Sequence, residues 1–239
     1  MGGWYRFVAV SEHWTARTAR RLHRAATHFS VPAPRLLVRP LLGVVLAVRF
    51  VYYFFARVFW CEPLFKAYCK KYGRNVRTGV YLHWIQGKGD LVLGDHVTID
   101  GKCSFSFAAR YRPHPTLTIG DHTGIGHNCA FVVGDRITIG THCRIALNVH
   151  MFDVSGHSAD PAERLAGKPS PSEEVRPITI GNNVWIGSGA VIYPGVTIGD
   201  NSIVSLGSVV MSSVPANTVV AGNPARQIRS LVRSRAEKD

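Results

Sequence analysis

Acidic residues are scarce in this chain. Its 239 residues hold 15 Asp and Glu against 28 Lys and Arg, a formal net charge of +13 with a pI near 10. That imbalance raises anionic partners: nucleic acid, anionic lipid or a phosphorylated ligand. Paired cysteines are missing too. Cys61, Cys69, Cys103, Cys129 and Cys143 are odd in number and form no C-x-x-C. This leaves no thiol-pair framework, and they are expected to be reduced packing residues of a cytosolic protein. A small-residue cleavage site is also lacking after the first apolar stretch, which begins only at Leu41. That absence counts against a secretory signal.

What charge there is lies mostly at the front. Residues 1–72 hold nine Arg and three Lys against Glu12 and Glu62, a net of +10 that leaves +3 for the rest. Arg17, Arg20, Arg21 and Arg24 fall at near-helical spacing, and Pro32, Pro34 and Pro40 are expected to break any helix nearby. Leu41 to Cys61 is apolar and aromatic, interrupted only by Arg49 and Arg57, eight residues apart and so on nearly one helix face. Two arginines argue against a spanning helix. They suit an interfacial one, with Arg at the headgroups and Phe, Tyr, Trp and Leu towards the acyl chains. A helix buried against its own oligomer or the base of the following domain is the other reading.

Residues 178–210 carry a different signal. Ile180, Ile186, Ile192, Ile198, Val204 and Val210 recur on a strict spacing of six, with Gly181, Gly187 and Gly199 each following directly after an Ile. Six is neither a helix period nor simple strand alternation. It marks a parallel β-helix of hexapeptide repeats, three short strands to a triangular coil, with the aliphatic residue of each unit pointing inward. Earlier, Ile119, Ile125 and Phe131 keep the spacing, as do Ile139, Ile145 and Met151 after a step of eight. Leu93 and Ile99 are read as a degraded first coil, and residues 103–116 as a bulging loop. A long break at 152–177, rich in Pro, Ser, Glu and Lys, has the length of a functional insertion. The expected organisation is a basic helical extension over 1–75, a β-helix domain over 76–229 carrying the inserted loop 152–177, and a charged tail over 230–239.

Residues 178–229, with NNVWIG, VVAGNPAR and the SGHSADPAERL loop, resemble the galactoside and maltose O-acetyltransferases, hexapeptide-repeat enzymes that use acyl-CoA. The resemblance covers roughly 117–229. It implies a mainly β fold wound as a left-handed parallel β-helix, a homotrimer, and active sites between subunits.

The same resemblance proposes site residues. His157 sits in SGHSADP, where the family carries its catalytic His, although family enzymes place Pro where Ser158 stands. Acyl transfer from a thioester to a hydroxyl needs a base, and imidazole titrates near neutrality. The thioester is already activated, so no metal is expected. The Ser188 N–H would hold the oxyanion. Trp185 would line the acyl-CoA channel, or else pack at a subunit edge. Leu206, Gly207 and Ala221 would flank the pantetheine arm. Arg226 and Arg229 would fork onto the CoA phosphates, or else form a solvated basic tail. Met211 and Ser212 replace the Thr-Lys pair common in the family, so one cationic contact is missing. Asn128 would touch the acceptor, or else serve as a corner residue.

Two rival readings use the same residues. A γ-carbonic-anhydrase-like zinc enzyme needs histidines from neighbouring coils, and His122 and His127 are five apart. A non-enzymatic scaffold bound to membrane or nucleic acid is permitted by the N-terminal charge. The reading adopted is an acetyl-CoA-dependent O-acyltransferase acting on a sugar or glycan hydroxyl, with the acceptor, the acyl length and nitrogen as nucleophile left open. It is expected as a homotrimer at an anionic membrane surface, on the cytoplasmic face of the inner membrane, without nucleic acid.

Overall fold

A computed structural model describes residues 2–231; of the charged tail expected over 230–239, residues 232–239 lie outside the described residues. Contacts divide the chain into two units, Met1–Phe50 and Val51–Asp239. In the first, α1 (Gly2–Val10) and α2 (Trp14–His28) form a helical hairpin, with Ala16 buried and the Arg20 guanidinium donating to the Val8 carbonyl at 2.6 Å. The four spaced arginines do lie on a helix. Pro32 and Pro34 fall in the break that follows, but Pro40 breaks nothing, because it sits inside α3 (Arg35–Ala56). It removes only the N–H that would reach Leu36, whose exposed position leaves that carbonyl to water.

α3 continues without interruption through a π-helical turn (Arg57–Cys61) into α4 (Glu62–Tyr68). No residue of α3 is buried. The stretch Arg35–Tyr68 is long and apolar enough to cross a membrane, by length and composition alone. At 100° per residue, Arg35, Arg39, Arg49 and Arg57 fall within an arc of about 80° along one side. The other end of this helix is buried in protein. Cys61 and Phe65 are 4% and 2% exposed, and the Phe65 ring lies 6.0 Å from Phe105 inside the next domain.

That domain is a three-faced prism of parallel strands. The first face stacks Arg77–Thr78, Thr98–Ile99, Gly124–Ile125, Arg144–Ile145, Trp185–Ile186, Ile203–Val204 and Thr218–Gly222, and ends in an antiparallel strand, Ala225–Ser230. The second stacks Trp84–Gln86, Ser104–Phe107, Ala130–Val133, His150–Phe152, Val191–Ile192 and Val209–Val210. The third stacks Asp90–Leu93, Thr116–Ile119, Arg136–Ile139, Ile178–Ile180 and Thr197–Ile198. Each face contributes at least one inward column, and the third contributes two, Leu91–Leu117–Ile137–Ile178 and Leu93–Ile119–Ile139–Ile180. Ile99, Ile125, Ile145, Ile186, Val204 and Val220 are register partners in turn. On the second face Phe105 and Phe131 stack at 5.4 Å and 7°, followed by Met151, Ile192 and Val210. Burying each such side chain contributes about 1.5–3 kcal/mol, which is why the six-residue period is held so strictly.

Two expectations about the early coils need correction. Residues 77–93 already form a complete first coil, which Leu93 closes rather than opens. The segment 103–116 is not all loop. Ser104–Phe107 is a strand with Phe105 and Phe107 inward, and only residues 108–115 bulge. Phe105 stands six residues after Ile99, so it keeps the period. An aromatic ring fills the place of an aliphatic one.

Candidate active site

The three turns of every coil stack into three edges. Edge 1, between the third and first faces, is a column of residues in the left-handed region: Asn75, His96, His122, His142, Asn183, Asn201 and Asn217, all with φ between +54° and +61°. Asn suits that conformation because its short amide tolerates it. From His96 upward these side chains engage one another in two runs. The rings of His96, His122 and His142 stack at 4.8 and 4.9 Å. Asn183 donates to Asn201, and Asn201 to Asn217, at 2.9 and 3.0 Å.

Edge 2, between the first and second faces, starts at Gly101 (φ +63°), which is packed under the His127 ring, then carries two Asn and opens above them. Asn128 (φ +59°) donates to Asn148 (φ +58°) at 2.8 Å. On the next two coils the column is Gly189 and Gly207, at φ +70° and +65°, and a Cβ at either would meet nothing within 4 Å. Beside them stand Ser188 and Leu206. The Gly189 N–H bonds the Leu147 carbonyl and the Gly207 N–H bonds the Ser188 carbonyl, but the Ser188 N–H has no partner among the described residues. Ala221 follows at the top of this edge, where the Gly222 N–H donates to Ser208 Oγ (3.3 Å). Arg226 is paired with Ala221 across the terminal hairpin, and Arg229 with Val219 at its other end. Both arginines are exposed. Edge 2 therefore gathers Asn128, Ser188, Leu206, Gly207, Ala221 and Arg226 in one line. Trp185 enters it from the outer surface of the first face, 55% exposed.

His157 lies elsewhere. Its loop occupies edge 3, between the second and third faces, and begins after Phe152, which is the last residue of a strand rather than the first of the insertion. Crossing the second face from Gly189 to Tyr193 takes four strand steps, roughly 13 Å. Within one chain His157 and Ser188 therefore stand on different edges of the prism.

The loop is anchored at both ends. Asp153 is fully buried, and its carboxylate accepts from the N–H groups of Gly134, Asp135 and Arg136. Burial pushes its pKa up, and the three donors pull it back towards the charged form. The Arg176 N–H returns to the Asp153 carbonyl at 2.9 Å, closing the insertion's neck. Tyr111, from the 108–115 bulge, packs with Val154 and Val175, and its hydroxyl meets Ser170 Oγ at 3.1 Å. Ser158 is 3% exposed. Its hydroxyl donates to Glu163 Oε2 at 2.8 Å and accepts from the Asp160 N–H, while Asp160 caps α5 (Pro161–Leu165). Ser158 thus fixes the loop where the related enzymes place Pro. The His157 side chain itself is exposed. Sequence reading missed Asp153 and Glu163. An Asp directly after a strand, at the foot of a long insertion, was the available signal.

The histidines proposed for zinc do not converge. His122 is on edge 1 between two other rings, and His127 is on edge 2, its Nδ1 accepting from the Lys102 N–H at 3.3 Å. Among the described residues no three His, Cys, Asp or Glu are grouped to hold a metal. The cysteines are packing residues: all are free, and the Sγ atoms of Cys103, Cys129 and Cys143 donate to carbonyls of the coil above.

Residues 177–211 match the family profile described as bacterial transferase hexapeptide (six repeats). Nodulation protein L of Rhizobium meliloti is 34% identical over 163 residues, 67% of this chain and 82% of that protein. The chain belongs to the hexapeptide-repeat acetyltransferase family. Within it, galactoside O-acetyltransferase of Escherichia coli is 39% identical over 139 residues, 58% of this chain and 63% of the enzyme. A galactoside acetyltransferase structure in complex with coenzyme A is 30% identical, covers 85% of this chain and 86% of its own, and superposes with a TM-score of 0.51. The chain spans between 48% and 63% of the length of four of its curated relatives, that enzyme included.

Proposed function

We propose that this hexapeptide-repeat acetyltransferase moves an acetyl group from acetyl-CoA to a hydroxyl of a sugar or glycan. The observation that carries this reading is edge 2: an unpaired Ser188 N–H beside two glycines, with an exposed arginine at its upper end. The pantetheine arm lies along Leu206, Gly207 and Ala221, Trp185 flanks the thioester, and Arg226 and Arg229 take the CoA phosphates. The His157 imidazole removes the acceptor hydroxyl proton as the oxygen attacks the thioester carbonyl. The Ser188 N–H holds the oxyanion. The C–S bond breaks, and the thiolate leaves as CoA thiol with the proton returned by His157.

The separation of edges 2 and 3 supports a site shared between copies. In this reading the coil is left-handed and the chain a homotrimer, with His157 of one copy meeting edge 2 of its neighbour and Asn128 facing the acceptor. The exposed, arginine-striped α3 supports attachment to an anionic membrane on its cytoplasmic face, where the acceptor is lipid-linked, as in the assembly of a surface polysaccharide. A relative from Escherichia coli, 34% identical over 118 residues, carries the name putative colanic acid biosynthesis acetyltransferase.

The test is acetyl-CoA-dependent thiol release with cell-envelope extract as acceptor, and mass identification of the product. His157→Ala should lower turnover at least about 100-fold. Near-parent turnover removes His157 from the mechanism. A chain beginning at Val51 keeps the Phe65 plug and should leave the membrane fraction; its full retention there contradicts attachment through the first unit.

A further inference from the structure

Edge 2 has a lower end as well as an upper one. There, a cleft of about 610 Å³ lies between the helix and the first turns of the prism, lined by Tyr52, Ala56, Trp60, Val80, Tyr81 and Leu82, with Cys61 and Lys102. Tyr52, Trp60, Tyr81 and Leu82 are each 47–65% exposed, large apolar side chains that the fold leaves uncovered. Lys102 is the one cation lining the cleft, it is exposed, and among the described residues no carboxylate pairs with it.

Lys102 also begins the column that leads to the proposed chemistry. Its N–H donates to His127, and its carbonyl accepts from the Asn128 N–H at 3.0 Å. Its coil is three rungs from that of Ser188, roughly 14 Å along the edge. An aromatic cleft, an unpaired ammonium and a polar column towards the oxyanion donor thus follow one another on one side of the molecule. Aromatic side chains with one polar end favour the boundary between hydrocarbon and water.

We propose that this cleft is the binding site for the lipid phosphate of an amphiphilic acceptor. The hydrocarbon chain lies against Trp60, Tyr52, Tyr81 and Leu82, the phosphate is held by Lys102, and the attached glycan runs up edge 2 past His127 and Asn128 to Ser188. This rests on the reading that the acceptor is presented at a membrane, and it adds where that lipid is held and by what chemistry.

The test is photolabelling of the full-length chain in phosphatidylcholine nanodiscs with a farnesyl phosphate bearing a benzophenone, followed by peptide mapping. It needs no acetyl-CoA, so it reads out separately from acetyl transfer. Label is expected within residues 52–60 or 80–82, suppressed by unlabelled farnesyl phosphate and not by inorganic phosphate. Lys102→Gln should reduce it at least about fivefold, since the anion loses its only cationic contact, and Trp60→Ala should reduce it as well. Label confined to residues 41–50 and unchanged by Lys102→Gln would mean bulk lipid contact and overturn the site.

Discussion

Edges 1 and 2 are made by the same device and put to different uses. Edge 1 stacks one left-handed residue per coil, and edge 2 does so from Gly101 upward. On edge 1 the column is His and Asn from the base to Asn217, with a stacked run at His96–His122–His142 and a hydrogen-bonded run at Asn183–Asn201–Asn217. On edge 2 the ladder stops at Asn148, and Gly189 and Gly207 take over where the thioester is proposed to lie. A corner conformation can be stabilised by side chains that fill the surface or by glycines that leave it empty. Only the second leaves room for a ligand against the coil wall. Reading which residue occupies the left-handed position, coil by coil, therefore separates a structural edge from a functional one.

The sharpest way to break this contrast is to fill edge 2. Gly207→Trp places a side chain where nothing lies within 4 Å. The backbone strain costs about 1–2 kcal/mol, which the core tolerates, while the KM for acetyl-CoA should rise about 100-fold, equivalent to ~2.7 kcal/mol. An unchanged KM would mean that edge 2 does not hold the cofactor.

A smaller effect distinguishes the histidines. Those of edge 1 are exposed, whereas His83, at the base of edge 2, sits between Phe65 and Phe105 at 4.6 and 5.6 Å and accepts the Cys103 N–H on Nδ1. Burial pushes its pKa down to about 4 from an ordinary 6.5. The unfolded chain thus binds the proton first as pH falls. His83 contributes stability that is complete above pH 6.5 and lost on the way down through pH 4, of order 2 kcal/mol after allowing for its partial exposure. Melting temperatures measured from pH 7 to pH 4.5 should fall more steeply in the parent than in His83→Phe; parallel curves would contradict the burial argument.

The mildest change belongs to edge 1. Asn201→Ala removes two ladder hydrogen bonds and puts Ala at φ +61°. Stability should drop by about 1 kcal/mol, roughly 3 °C in Tm, with turnover per folded molecule unchanged. Lost turnover at unchanged Tm would erase the distinction between the edges.

How much of this was legible beforehand varied by region. From Ile119 onward apolar residues six apart, interrupted by one step of eight and the 152–177 insertion, announce the prism directly. The first two coils were obscured because Thr78, Ile85 and Phe105 fill their places with unlike side chains, and because turns of unequal length separate them. Phe105 looked like part of a loop although its spacing was right. The edge 2 residues could be named from turn motifs, since the turns repeat in sequence. That His157 and Ser188 lie on separate edges could not be counted out, because a 26-residue insertion hides which corner it leaves from. Pro40 misled because a proline near a helix start costs little when the orphaned carbonyl faces water.

The shared site is tested most directly by mixing two impaired chains, assayed with acetyl-CoA far below the KM of the Gly207→Trp variant. His157→Ala lacks the base and Gly207→Trp lacks a usable edge 2. If the base comes from a neighbouring copy, co-refolded mixtures should recover about a quarter of parent activity, because half the bases and half the edges are intact and they combine at random. Activity no higher than that of the separate variants would contradict a site built between copies.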